Sequence, residues 1–231
     1  MSKNSYGQFC PIAMACDVLG QRWTLLILRE LLLGSHHFNE IRKGLPKISP
    51  TLLAKRLQDL TDQGILEKRP SNNGVMSCYQ LTQSGRNIQP IIVALGLWGR
   101  EHFEFEAVIQ KSEPHLLMWD LKRNINLDQL PKRNLIIQFE FPEQPKRISN
   151  WWVCYKQELG LDVGHIDPGN DIDLLIKTSV HTLTEIHMGS LPSANALSSG
   201  RLNIEGSRDL SETMDSWLGT NALSFAKIAS R

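Results

Sequence analysis

Ser49-Pro50-Thr51-Leu52-Leu53-Ala54-Lys55-Arg56-Leu57-Gln58-Asp59-Leu60 is the stretch that decides the fold. A serine before a proline opens a helix: the hydroxyl accepts from free backbone N–H groups, and proline at the first helical position gives up no hydrogen bond. Leu53, Leu57 and Leu60 then recur at helical spacing on one face. Thr51, Lys55 and Gln58 fall on roughly the opposite face, with Arg56 toward its flank, and Gly64 marks the end. Asp59 and Asp62 come late, so the start of the hydrophilic front is poor in carboxylates.

Upstream, Ile12, Ala15, Val18 and Leu19, then Trp23, Leu26, Ile27 and Leu31, repeat every three or four residues. They predict two helices with a bend at Gly20, the second closed by Gly34. Phe38, Ile41 and Leu45 mark a short third helix that Pro46 stops. Downstream, Ile65-Leu66-Glu67-Lys68-Arg69, the turn-forming Pro70-Ser71-Asn72-Asn73-Gly74 and residues 75–81 read as two strands joined by a polar loop. Thr82-Gln83-Ser84-Gly85 opens a last helix carrying Ile88, Ile91, Ile92, Leu95 and Trp98. These are too many apolar residues for one face of an isolated surface helix, so part of that surface is expected to meet another subunit.

Helix, turn, helix, then a hairpin with a basic loop is an order that lets one helix enter a DNA major groove while the hairpin reaches the neighbouring backbone. Residues 36–69 hold seven Lys and Arg against four Asp and Glu, which suits a phosphate-binding surface. The expected DNA-facing residues are Ser49, Thr51, Lys55, Arg56 and Gln58 on the helix and Lys68, Arg69, Asn72 and Asn73 on the hairpin.

Composition sets bounds on this reading. A formal net charge of +1 over 231 residues excludes a chain that holds nucleic acid by bulk charge, so contacts must come from local patches. Residues 1–106 carry 12 Lys and Arg against 9 Asp and Glu, and the remainder carries 13 against 15. The asymmetry favours an anionic partner for the first part. MSKNSYGQFC lacks the apolar run of a signal peptide, and the richest apolar stretch, residues 25–33, is interrupted by Arg29 and Glu30. A cytoplasmic protein without membrane contact is expected. Cys10, Cys16, Cys78 and Cys154 form no CxxC pair, and neither they nor His36 and His37 are spaced with further ligands for a metal.

The segments Cys10-Pro11, Asp17-Val18-Leu19-Gly20-Gln21-Arg22-Trp23-Thr24-Leu25-Leu26-Ile27-Leu28-Arg29-Glu30-Leu31, His37-Phe38-Asn39-Glu40-Ile41, Leu45-Pro46-Lys47-Ile48-Ser49-Pro50 and Tyr79-Gln80-Leu81-Thr82-Gln83-Ser84-Gly85 resemble the HxlR-type winged helix-turn-helix regulators. The resemblance covers most of residues 10–105 and implies a homodimer paired through the first and last helices of the domain. It also implies a recognition helix over residues 49–63 and a wing over residues 68–77. A cysteine at the position of Cys10 serves some members of that family as a sensor of oxidants or electrophiles.

Beyond residue 106 the pattern changes to a mixed α/β domain, with a helix expected over residues 116–130 and strands over 135–141, 151–155 and 171–177. A helix over 182–188, a strand over 202–204 and a closing helix over 210–218 follow. Asp171-Ile172-Asp173-Leu174-Leu175-Ile176-Lys177-Thr178, Leu183-Thr184-Glu185-Ile186, and Ala196-Leu197-Ser198-Ser199-Gly200-Arg201-Leu202-Asn203-Ile204-Glu205-Gly206 with residues 210–217 are similar to the sterol carrier protein type domain. That resemblance implies a sheet packed on helices around an apolar tunnel, hence a small hydrophobic effector, for which Trp151, Trp152 and Met188 are candidate lining residues.

The expected fold class is therefore α+β. A winged helix-turn-helix domain over residues 1–106 is followed by a mixed α/β domain of sterol carrier protein type over 107–231. The expected function is a homodimeric DNA-binding regulator modulated by a small apolar ligand or by thiol chemistry. A lipid or small-molecule carrier acting through the C-terminal domain is the alternative. No GxSxG, HExxH, P-loop or GxGxxG motif is present, and Asp171 and Asp173 alone do not make a metal site, so neither an enzyme nor a cofactor is expected.

Overall fold

A computed structural model describes residues 5–70, 77–104, 109–110 and 112–221. The chain divides into two compact units, Met1–Gly96 and Leu97–Arg231.

The first unit begins with α1 (Pro11–Leu19), α2 (Thr24–Leu32), α3 (Phe38–Gly44) and α4 (Pro50–Asp62). Its hairpin follows as β1 (Leu66–Pro70) and β2 (Ser77–Leu81), and then come α5 (Gln83–Arg86) and α6 (Gln89–His102), the last shared with the second unit. Ser49 opens α4 as the spacing predicts, its hydroxyl accepting from the Leu52 N–H at 3.3 Å. Leu53, Leu57 and Leu60 are buried against Ile27, Leu28 and Leu31 of α2, Ile41 of α3 and Leu66 of β1 in one core. Glu40 at the third position of α3 accepts from the backbone N–H groups of His36 and His37, both at 2.9 Å. His36 in turn lies beside the hairpin, its carbonyl accepting from Tyr79 N–H at 2.8 Å, which ties the start of α3 to β2.

The turn between α1 and α2 is strained. Trp23 adopts φ 79° and ψ −19°, the one non-glycine residue with positive φ among those described. Such a conformation costs about 1–2 kcal/mol for a residue with a Cβ, so surrounding contacts must hold it. The sequence predicted one helix after the hairpin; the chain instead forms α5 and α6, separated at Asn87 and Ile88. Pro90, second in α6, has no N–H to continue the earlier helix.

The second unit continues after α6 with α7 (Pro114–Asn124), a 3-10 turn (Leu127–Gln129), β3 (Leu135–Glu140), β4 (Asn150–Lys156), β5 (Gly160–Gly164) and β6 (Leu174–Thr178). Helices α8 (Val180–His187) and α9 (Ser193–Ser198), strand β7 (Leu202–Gly206), and helices α10 (Arg208–Glu212) and α11 (Met214–Trp217) complete it. The sheet order is β5-β4-β3-β6-β7, with β3 and β6 parallel and the other neighbours antiparallel. One face, with Leu135, Ile137, Phe139, Val153, Leu174 and Ile176, packs in a core with residues of α7, α8 and α11. The expected helix over 116–130 is thus α7 plus the 3-10 turn, and the expected closing helix is the pair α10 and α11.

Glycine is required at Gly206, where φ is +121° and a Cβ would stand 2.4 Å from the Asp173 carbonyl oxygen. That close approach lets the Ser207 N–H reach the same carbonyl at 2.8 Å and seats the start of α10. At the end of α8, the buried His187 donates through Nε2 to Asp120 Oδ2 at 2.8 Å, and Asn221 donates to the same oxygen at 2.6 Å. Arg123 pairs with the other Asp120 oxygen at 2.6 Å. Burial alone would raise the Asp120 pKa, but the hydrogen bond from His187 and the attraction of His187 and Arg123 outweigh it and lower the group from 3.8 to about 2.

Two outcomes follow from this packing. Leu57, fully buried, should cost about 2–5 kcal/mol when changed to Ala, measured by denaturant unfolding; an equally stable variant would show the leucine face is misassigned. Because the folded pKa of Asp120 lies below its unfolded value, its contribution is complete above pH 3.8 and is lost as pH falls through about 2. On the order of 2 kcal/mol more stability should disappear between pH 5 and pH 2 in the parent than in Asp120→Asn. Parallel pH profiles for the two would contradict the assignment.

Candidate nucleic-acid interface

Because the three leucines of α4 are spent on the core, the helix can turn only its other side outward. Thr51, Lys55 and Gln58 are exposed there on successive turns. Gln58 donates to Asp62 Oδ1 at 2.7 Å, four residues along the same face, which leaves the first turns of the helix less encumbered than the last. Ser49, at the N-cap, uses its hydroxyl on the backbone of the first turn. It therefore orients the helix start, where unpaired N–H groups carry a partial positive charge suited to a phosphate.

Arg56 departs from the expectation. Its side chain is only 14% exposed and folds back on the α1–α2 turn: Nε donates to the Arg22 carbonyl at 3.2 Å and one terminal nitrogen to Gln21 Oε1 at 3.2 Å. The other terminal nitrogen pairs with Asp59 at 3.1 Å. Expected on the DNA-facing flank, it is instead tied inward, because acceptors 34 and 35 positions away in sequence lie within its reach.

On the hairpin, Lys68 and Arg69 are exposed and, being consecutive on β1, point to opposite sides of the ribbon. Arg69 is held by Glu67 through two nitrogens, at 3.0 and 2.6 Å. Asn72 and Asn73 lie outside the described residues. Three exposed bases that were not singled out in the sequence, Arg42, Lys43 and Lys47, stand at the end of α3 and in the turn leading to Ser49. Their signal was present only as the excess of bases over acids across residues 36–69.

The helices flanking the unit have another character. Neither α1 nor α6 contains a buried residue, although both are rich in apolar side chains. Ile12 and Met14 of α1, Phe9 just before it, and Ile91, Leu95 and Trp98 of α6 are exposed. Cys10 is half-buried at the N-cap of α1 and carries a free thiol, as do Cys16, Cys78 and Cys154.

In the second unit, Trp151 and Trp152 do not share a face. Trp151 lies in the core with its Nε1 donating to the Ile148 carbonyl at 2.9 Å, whereas the next residue of a strand must face the other way. Expected together as pocket lining, the two tryptophans are divided by the sheet itself, and Met188 is half-buried at the end of α8. Among the described residues no group of three or more His, Cys, Asp or Glu side chains could hold a metal ion, and no helix is long and apolar enough to cross a membrane.

The HxlR-like helix-turn-helix family profile matches residues 18–107, which takes in α2 to α6 and the hairpin strands. The HTH-type transcriptional regulator sll1512 of Synechocystis is 34% identical over 103 residues, 44% of this chain and 76% of that protein. The regulator YvaP of Bacillus subtilis is 34% identical over 96 residues, 41% of this chain and 89% of that protein. The solved reduced form of the transcriptional regulator YodB from B. subtilis superposes with a TM-score of 0.37 at 32% identity, covering 42% of this chain and 97% of YodB. Through its N-terminal hundred or so residues, the chain belongs to the HxlR-like helix-turn-helix family of transcriptional regulators.

Proposed function

We propose that the protein acts as a homodimer that places α4 of each copy in a DNA major groove and its hairpin on the flanking backbone. The observation that carries this reading is the exposed row Thr51, Lys55 and Gln58 backed by fully buried leucines, a front that is polar and fixed in direction. Lys55, Lys68, Arg69 and the bases Arg42, Lys43 and Lys47 supply phosphate contacts, Thr51 and Gln58 face base edges, and Asn72 and Asn73 extend the hairpin's reach.

The dimer reading is supported by α1 and α6, which leave Ile12, Met14, Ile91, Leu95 and Trp98 exposed among the described residues. A second copy offering the same surface would bury them in a two-fold contact. Cys10, at the start of α1 and accessible, is the thiol whose modification would alter that contact. The second unit serves as an effector domain of sterol carrier protein type, a reading supported by its succession of β6, α8, α9, β7 and α10. A small apolar ligand would act there by favouring one dimer arrangement over another. If the protein were a carrier alone, it would retain no duplex at low salt.

Measurements on the full chain separate these readings. Duplex binding should be tight at low salt and weaken steeply as salt rises, and Lys55→Ala should make the plot of log affinity against log salt shallower by roughly one unit with the fold intact. No change in slope would remove Lys55 from the interface. Leu95→Glu should shift the protein from dimer to monomer in sedimentation, since a charge buried without a partner costs several kcal/mol; an unaltered dimer would place the interface elsewhere.

A further inference from the structure

Arg56 invites a role other than DNA contact. All three of its guanidinium nitrogens are engaged: two donate to Arg22 and Gln21 of the α1–α2 turn and the third to Asp59 on its own helix. The Arg22 carbonyl is part of the peptide that precedes Trp23, the residue held in the left-handed conformation. Nε of Arg56 thus grips the peptide plane whose rotation sets the bend between the two helices.

Apolar packing across this seam is partial, with Val18 and Leu19 of α1 half-buried at the edge of the core. No residue of α1 is buried, and a cavity of about 300 Å³ lies between α1 and α4. Asp17, Val18 and Gln21 line it from one side, with Lys55, Arg56 and Asp59 on the other. A rigid, planar fork of donors spans such a gap in one geometry, which a flexible single ammonium would not do.

We infer that Arg56 is a positioning residue that locks the recognition helix α4 to the α1–α2 turn and thereby sets the separation of the two recognition helices in the dimer. The inference rests on the reading of α4 as recognition helix and of α1 as part of the dimer contact. If the two-fold axis runs through α1, the angle between α1 and α4 fixes how far each α4 stands from that axis. Half-site spacing on the duplex must match that distance.

The test uses the full-length protein and a duplex it selects from a random pool, together with the same duplex carrying one extra base pair between the half-sites. The parent should bind the lengthened duplex about tenfold more weakly. Arg56→Ala should bind the selected duplex about tenfold more weakly than the parent yet treat the two duplexes within about twofold, with its salt slope unchanged. Lys55→Ala should lose roughly one unit of slope while still discriminating spacing. Gln21→Ala should move with Arg56→Ala, and the double variant should be no worse than Arg56→Ala alone, because the two side chains act as one link.

A merely structural loss would weaken both duplexes equally and keep the spacing preference, which would overturn the inference. So would a salt slope in Arg56→Ala reduced by roughly one unit, the mark of a lost phosphate contact. Should Arg56→Ala not fold, Gln21→Ala gives the same discrimination readout, and an intact preference there would be decisive against it. A parent that retains no duplex from the pool would instead sink the DNA-binding reading itself.

Discussion

Burial of Leu53, Leu57 and Leu60 is the constraint from which the N-terminal unit takes its form. Each leucine withdrawn from water contributes roughly 1.5–3 kcal/mol, and the three lie within a narrow arc of one helix. Rolling that helix by even one residue position would expose two of them. The rotation of α4 is thereby settled before any partner is present, and the hydrophilic residues on its far side acquire a fixed direction. Ser49 sets where the helix begins, and α2, α3 and β1 supply the surface into which the leucines fit. The core is what gives a short row of polar side chains one orientation.

This relationship explains why the first unit was largely legible from residues alone. Helix starts at Ser49-Pro50, ends near Gly34 and Gly64, and the paired strands over residues 66–70 and 77–81 are all consequences of local chemistry, and the chain adopts them within a residue or two. The break before α6 was also locally signalled, by Pro90, but the long apolar run around it read as one helix. Arg56 was illegible for another reason. Its partners are a carbonyl and an amide brought near by the tertiary fold, and helical spacing places it on a flank without saying which neighbour claims it.

The second unit shows where periodicity runs out. Strand β5, Gly160-Leu161-Asp162-Val163-Gly164, lies at the sheet edge between two glycines and has too few apolar residues to signal itself. Helix α9 spans six residues, less than two turns, and offers no repeat to detect. Most of the strands that were legible, β3, β6 and much of β4, are packed into the middle of the sheet, where branched and aromatic residues cluster, and of the two edge strands only β7 was read, from residues 202–204. The tryptophan pair on β4 shows a subtler gap: composition places both inside, while only the alternation of a strand assigns them to opposite sides.

The central parallel pair of the sheet bears on the order in which the protein is made. Strand β6 cannot dock beside β3 until the intervening chain, with its own β4–β5 hairpin, has been synthesised and folded back. Such distant pairing is slow, because loop closure comes before any contact repays it. The helical unit relies on near neighbours and emerges first from the ribosome. It will have taken shape while β3 still has an open flank of Ile137 and Phe139, and that interval is when the nascent chain is most vulnerable to aggregation and most in need of a chaperone.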